Sequence, residues 1–91
     1  MANTTGYVSK KLTANILAQS VTLDVKGFYL ISNTSANVVT INLDNLVTED
    51  GAIELAAGQS LENFKEYCKV LHYSAAADAS VLKIIGKREN M

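Results

Sequence analysis

Short hydrophobic runs separated by small polar turns recur along the whole chain. Residues 21–25 alternate apolar and polar side chains with a period of two, which is typical of a strand with one buried face. Residues 28–32 form a mostly apolar run with aromatic and β-branched members, as expected for a central strand. The polar residues 33–37 separate this run from residues 38–43, and the spacing predicts a β-hairpin.

The second half of the chain repeats this pattern. Residues 52–56 are predicted as a strand that closes at Gly58, and residues 80–85 as a strand that ends at Gly86. The small residues 76–79 precede the last strand and predict a second hairpin turn. Strands joined by short turns therefore extend to the end of the chain.

Residues 61–71 are open to two interpretations. Their apolar side chains lie at helical spacing behind Ser60, a suitable N-cap, whereas the later part of the stretch alternates like a strand. We expect a short helical turn over residues 61–65 and then a strand over residues 67–75. A complete helix would leave the last strand without an obvious partner.

About six strands with no long helix predict an all-β fold, because a parallel arrangement needs helical crossovers. We expect a small antiparallel β-sandwich or a jelly-roll-like barrel. Residues 13–86 would form its single domain. Residues 1–12 have few aliphatic side chains and predict an N-terminal arm, and residues 87–91 predict a charged tail.

Charge and composition exclude several classes of partner. Eight Lys and Arg residues against nine Asp and Glu residues give a net charge of −1, so the strong basic field of a nucleic-acid-binding protein is absent. The apolar run over residues 12–18 is too short to span a bilayer, and we expect neither membrane anchoring nor export from the cytoplasm. Cys68 is the only cysteine, which excludes an intrachain disulfide.

The edges of the predicted sheets have few protecting features. The chain contains no proline, which commonly blocks strand edges, and only Lys26, Lys69 and Lys83 stand as candidate protecting charges. Oligomerisation commonly stabilises domains of this size. A homo-oligomer is therefore expected.

Candidate catalytic groups are few. On a helix, Cys68 and His72 would share a face and could form a thiolate–imidazole pair. No third orienting group accompanies them, so we favour a buried structural cysteine and a half-exposed strand histidine. Neither an enzyme nor a cofactor is expected.

Two binding alternatives also arise from the residues. Asp44, Glu49 and Asp50 lie in one loop but lack the alternation of ligands seen in dedicated calcium loops, so we expect a solvated acidic loop and no metal site. Exposed aromatic residues on one face would form a stacking platform for a sugar or a base. We favour a core position for Phe28 or Tyr29 together with Phe64.

Four segments carry a resemblance to a known class of proteins. They are the run and turn of residues 28–37, the strand of residues 39–41, the strand and turn of residues 53–60, and the strand of residues 81–86. Together they resemble the small β-sandwich proteins of tailed-bacteriophage virions that decorate or cement the capsid, often as trimers. The resemblance implies a structural virion protein, made in the host cytoplasm, that binds the major capsid protein as a homo-oligomer, with a trimer favoured.

The N-terminal arm supplies the candidate contact residues. Tyr7, Lys10 and Lys11 are predicted to bind the partner if the arm orders on contact, although a frayed terminus without a role is the alternative. A second function also stays open. It is a tail- or fibre-associated module that recognises a cell-surface glycan.

Overall fold

Two antiparallel four-stranded sheets pack face to face in the computed structural model, which describes residues 7–88. All regular structure in these residues is β-strand. The eight strands are β1 (Tyr7–Ala14), β2 (Gln19–Val25), β3 (Gly27–Asn33), β4 (Val39–Leu43), β5 (Ile53–Leu55), β6 (Ser60–Phe64), β7 (Cys68–Ala75) and β8 (Ser80–Lys87).

The strand order is that of a jelly roll. Sheet one has the order β1-β8-β3-β6, and sheet two has the order β2-β7-β4-β5. The predicted all-β antiparallel sandwich is therefore confirmed, with eight strands in place of about six. The two additional strands are β1 and β6.

Strand β1 replaces most of the predicted arm. Its eight residues pair with β8 over their full length, from Tyr7 opposite Lys87 to Ala14 opposite Ser80. The arm prediction is therefore wrong for residues 7–12, while residues 1–6 lie outside the described residues. The pattern was hard to recognise because β1 is an edge strand in which only Val8, Leu12 and Ala14 contact the core.

Strand β6 replaces the predicted helical turn over residues 61–65. Leu61 and Phe64 both pack against the core although they are three residues apart. Asn63, between them, has a positive φ of 53°, and this irregularity interrupts the strict alternation of the strand. The resulting spacing of three residues between apolar side chains resembles that of a helix.

Both predicted hairpins are connections between the two sheets. Residues 34–38 lead from β3 in sheet one to β4 in sheet two, and residues 76–79 lead from β7 in sheet two to β8 in sheet one. Turn chemistry indicates that a chain reverses, but it does not specify which sheet the next strand joins. The hairpin predictions are therefore wrong, although the turns themselves are present.

The core lies between the sheets and is almost entirely aliphatic. Its largest fully buried apolar side chains are Leu23, Ile31, Ile41, Leu55, Leu71, Leu82, Ile84, Val25 and Val39. Phe28 is also buried, and its ring centroid lies 6.3 Å from that of Phe64. The predicted core position of these aromatic residues is confirmed for Phe28 and Phe64.

Asn33 is a buried polar residue that joins two connections. Its side-chain nitrogen lies 2.6 Å from the carbonyl oxygen of Asn37, 3.0 Å from that of Leu55 and 3.1 Å from that of Ala56. Its Oδ1 accepts hydrogen bonds from the backbone nitrogen and the hydroxyl of Ser35, at 3.0 and 2.7 Å. Asn33 therefore satisfies carbonyls of the β5–β6 turn while it shapes the β3–β4 connection.

Candidate functional site

Lysines are concentrated on sheet one. Its strands carry Lys10, Lys11, Lys83 and Lys87 but only one acidic residue, Glu62. The strands of sheet two carry two acidic residues and one lysine. The protein thus presents a basic surface although its net charge is −1. Lys11, Lys83 and Lys87 alternate with core-facing residues and lie on the outer surface of sheet one, whereas Lys10 has the same strand parity as Val8 and Leu12 and lies at the β1 edge. We call this outer surface, with its three lysines, the lysine face.

The centre of the lysine face is a pair of like charges. Lys11 of β1 lies directly opposite Lys83 of β8, and among residues 7–88 no carboxylate forms an ion pair with either. Lys10, Lys11 and Lys83 line a shallow cavity of about 290 Å³, together with Ser9, Thr34 and Val81. Like charges directly opposite each other destabilise a sheet, so this arrangement favours an anionic partner over an empty surface.

A second basic cavity lies at the end of sheet one where β3 begins. It has a volume of about 350 Å³, and its lining includes Lys26, Lys65, Lys87 and the exposed ring of Tyr29. The pairing of β3 with β8 shifts register at Tyr29, between Phe28 and Leu30. Such a bulge redirects a side chain, and here it leaves Tyr29 facing solvent.

The three predicted contact residues all lie on β1. Tyr7 is half-exposed and stands opposite Lys87, while Lys10 and Lys11 are exposed near the centre of the strand. Their role in binding a partner stays a prediction. From the sequence, Lys83 was predicted only as an edge charge, because its place beside Lys11 depends on the register between the first and last strands.

The alternative catalytic pair is separated by the sheet. Cys68 is completely buried in the core, whereas His72 lies on the outer face of sheet two, opposite Ser20 and Asn42. Burial, reinforced by the charge of Asp44, raises the pKa of the Cys68 thiol to about 12. The thiol is therefore protonated at neutral pH, and a thiolate–imidazole pair has no geometric support.

The acidic loop uses its carboxylates internally. Asp44 Oδ1 accepts hydrogen bonds from the backbone nitrogens of Lys69 and Val70, at 2.9 and 2.8 Å, and Glu49 Oε1 accepts one from Leu46 at 3.2 Å. Within residues 7–88, no group of three or more His, Cys, Asp or Glu side chains is placed to hold a metal ion. The same part of the chain also has no helix of the length and apolarity needed to cross a membrane.

The aromatic residues do not form one exposed platform. Phe28 and Tyr73 are buried, while Tyr29 and Tyr67 are exposed. The hydroxyl of Tyr67 donates a hydrogen bond of 3.0 Å to Asp24 Oδ1, which raises the pKa of Tyr67. Phe28 and Tyr29 both line the second basic cavity, and of these two only Tyr29 is exposed.

An apolar tip lies at the end of the sandwich formed by the β1–β2, β3–β4 and β7–β8 connections. We define it as Ile16, Leu17 and Val38, whose exposed fractions are 61%, 81% and 41%. The backbone nitrogen of Ile16 donates to Asp78 Oδ1 at 2.9 Å, and the neighbouring Asn15 carbonyl accepts from Ala75 at 2.8 Å. These bonds tie the backbone of the β1–β2 connection to the β7–β8 connection and to the end of β7.

Comparisons with known proteins found no match: no family model, no curated protein and no solved structure matches the chain.

Proposed function

We propose that this protein is a structural virion component that binds and stabilises the capsid of a tailed bacteriophage, in the manner of a decoration or cement protein. The observation that carries the proposal is the lysine face, on which Lys11 and Lys83 lie side by side and form no ion pair with any residue of the described range 7–88. The jelly-roll strand order supports it, since this architecture is common among viral capsid proteins, although a fold alone does not define a function.

The proposed partner is an acidic surface of the major capsid protein. The side chains of Lys11 and Lys83 lie on the outer face of sheet one, where they would attract carboxylates and orient the approaching protein, and Lys10 lies at the adjoining edge. A protomer bound where capsid subunits meet stabilises the shell by mass action, because only the assembled shell presents the complete site. This role needs no catalytic group.

The proposal includes a homo-oligomer, with a trimer favoured. A surface that contacts its own copies around a symmetry axis must not repel itself, which disfavours the lysine face. The apolar tip carries no charge on its three side chains, and the Ile16 backbone within it is hydrogen-bonded to Asp78 at one end of the sandwich. We assign the contact between copies to this tip and leave the lysine face to the capsid.

The experiment is co-sedimentation of the purified protein with capsids of its virus assembled without it. Binding that saturates at a fixed number of copies per capsid subunit supports the proposal. Absence from the pellet at every protein concentration, with the protein folded, contradicts it. Light scattering of the free protein tests the oligomer in the same preparation.

A glycan-binding module of a tail or fibre is the second candidate. It is favoured by the exposed ring of Tyr29 beside Lys26 and Lys65, because such a cavity combines a stacking surface with groups that attract acidic sugars. A glycan array distinguishes the two functions. Selective glycan hits that disappear in Tyr29→Ala, together with no capsid binding, would favour the second candidate.

A further inference from the structure

The four edge strands of the sandwich differ in how well they could accept another strand. Strand β5 has only three residues. The pairing of β2 is interrupted between Thr22 and Val25, where Asp24 has a positive φ of 53°. Strand β6 has five residues and contains Asn63, also with a φ of 53°. Short or irregular edges of this kind resist the addition of further strands.

Strand β1, in contrast, is neither short nor irregular. It is eight residues long and pairs with β8 without any shift in register, and none of the described strands pairs with its outer side. Along an antiparallel edge, alternate residues direct their backbone N–H and C=O groups outward. The edge of β1 therefore presents a regular row of hydrogen-bonding groups, which is a template for β-augmentation.

The charges on β1 select the kind of strand that would add. If two copies of β1 paired antiparallel about a two-fold axis at the middle of the strand, Lys10 would lie opposite Lys10 of the other copy, or Lys11 opposite Lys11. Like charges directly opposite destabilise such a pair. Self-pairing at this edge is thus disfavoured, whereas a strand that places a carboxylate opposite Lys11 on the outer face is favoured.

We propose that the outer edge of β1 receives an extended acidic segment of another protein, which adds to sheet one as a fifth strand. Backbone hydrogen bonds along β1 supply the affinity, and carboxylates on the outer face, opposite Lys11, supply the selectivity. The inference rests on the proposed function only for the identity of the partner. Strand addition itself is tested without capsids, so the two proposals can fail separately.

The test uses two synthetic peptides of eight residues, one alternating valine with glutamate and the other alternating valine with lysine. Amide hydrogen exchange of the intact protein is followed by NMR while each peptide is added. We expect the glutamate peptide to slow exchange at alternate residues of β1 and to bind at least about fivefold more tightly than the lysine peptide. Unchanged exchange along β1, or equal binding of both peptides, overturns the proposal.

A pair of proline variants separates strand addition from charge attraction alone. Ser9→Pro and Lys10→Pro remove adjacent backbone N–H groups, of which one is directed toward β8 and the other outward. We expect one variant to lose stability and the other to keep its urea midpoint but lose the peptide-induced protection. Lys10→Ala is the control for the lost charge and should keep part of the protection. Full protection in the proline variant that remains stable contradicts strand addition.

Discussion

Lys11 of β1 lies directly opposite Lys83 of β8 on the outer surface of sheet one, and no described carboxylate pairs with either ammonium group. The two strands come from opposite ends of the chain, so this juxtaposition exists only in the folded protein. It costs stability in isolation and becomes favourable when an anionic surface covers it. This opposition between stability and binding underlies the first prediction.

Lys11→Glu should stabilise the free protein. The substitution replaces a cross-strand repulsion with an attraction to Lys83, and we expect the free energy of unfolding to rise by about 0.2–1 kcal/mol. Urea denaturation at low salt measures the change, and added salt should reduce it. Lys69→Glu makes the same change in net charge on sheet two and serves as control. A free energy of unfolding lower for Lys11→Glu than for wild type would show that the repulsion between Lys11 and Lys83 is not significant.

Asn33→Ala should destabilise the protein strongly. The substitution removes the amide that satisfies the carbonyls of Leu55 and Ala56, and we expect a loss of about 1–3 kcal/mol in the free energy of unfolding. Chemical denaturation is the measurement. Asn45→Ala, at an exposed position, should change stability by less than about 0.5 kcal/mol. Equal effects of the two substitutions would refute the role assigned to Asn33.

Gly86→Ala tests the packing between the sheets. A Cβ atom at Gly86 would lie 2.6 Å from Cγ1 of the buried Val25, and we expect a cost of about 1–3 kcal/mol. Val25→Ala in the same chain should recover part of that cost, which a double-mutant cycle measures. Strictly additive effects of the two changes would contradict the steric explanation.

Cys68 should be unreactive in the folded protein. Because burial raises its pKa from 9.0 to about 12, a thiol reagent at pH 8 should modify the native chain far more slowly than the chain unfolded in urea. The folded state holds this proton more tightly than the unfolded state does. The contribution to stability is therefore present below pH 9 and is lost as the pH rises toward 12. Rapid modification of the native thiol would show that Cys68 is accessible.

The apolar tip offers a test of the oligomer. Leu17→Asp should shift the protein to a smaller species in sedimentation velocity, because it would introduce a charge into the proposed contact between copies. Leu46→Asp changes another exposed leucine, in the β4–β5 connection, and should leave the oligomer intact. If the wild-type protein is monomeric, or if both variants behave alike, the assignment of the tip is wrong.

Alternation and turn chemistry predicted the strands whose inner faces are clearly apolar. The predictions failed where that signal was weak. Strand β1 contacts the core through few positions, and the left-handed Asn63 gives β6 a spacing that resembles a helix. The sequence also does not indicate which sheet a strand joins. Turn residues such as those at positions 34–38 are suitable both for a return to the same sheet and for a crossing to the other sheet.

Part of the candidate site could also be predicted. Tyr7, Lys10 and Lys11 were singled out from the sequence, and the structure places them on one exposed strand. Their neighbour Lys83 could not be recognised as such, since it lies 72 positions after Lys11 in the chain and only strand register brings the two together. A site that depends on long-range pairing leaves no local pattern in the sequence.

Capsid binding by the lysine face is tested most directly by a co-sedimentation titration that compares wild-type protein, Lys11→Glu and Lys69→Glu on capsids assembled without the protein. We predict that Lys11→Glu binds about tenfold more weakly than wild type, although it is at least as stable, and that Lys69→Glu binds like wild type. Equal binding by all three proteins, or no binding by the wild type, would contradict the proposed role of this face.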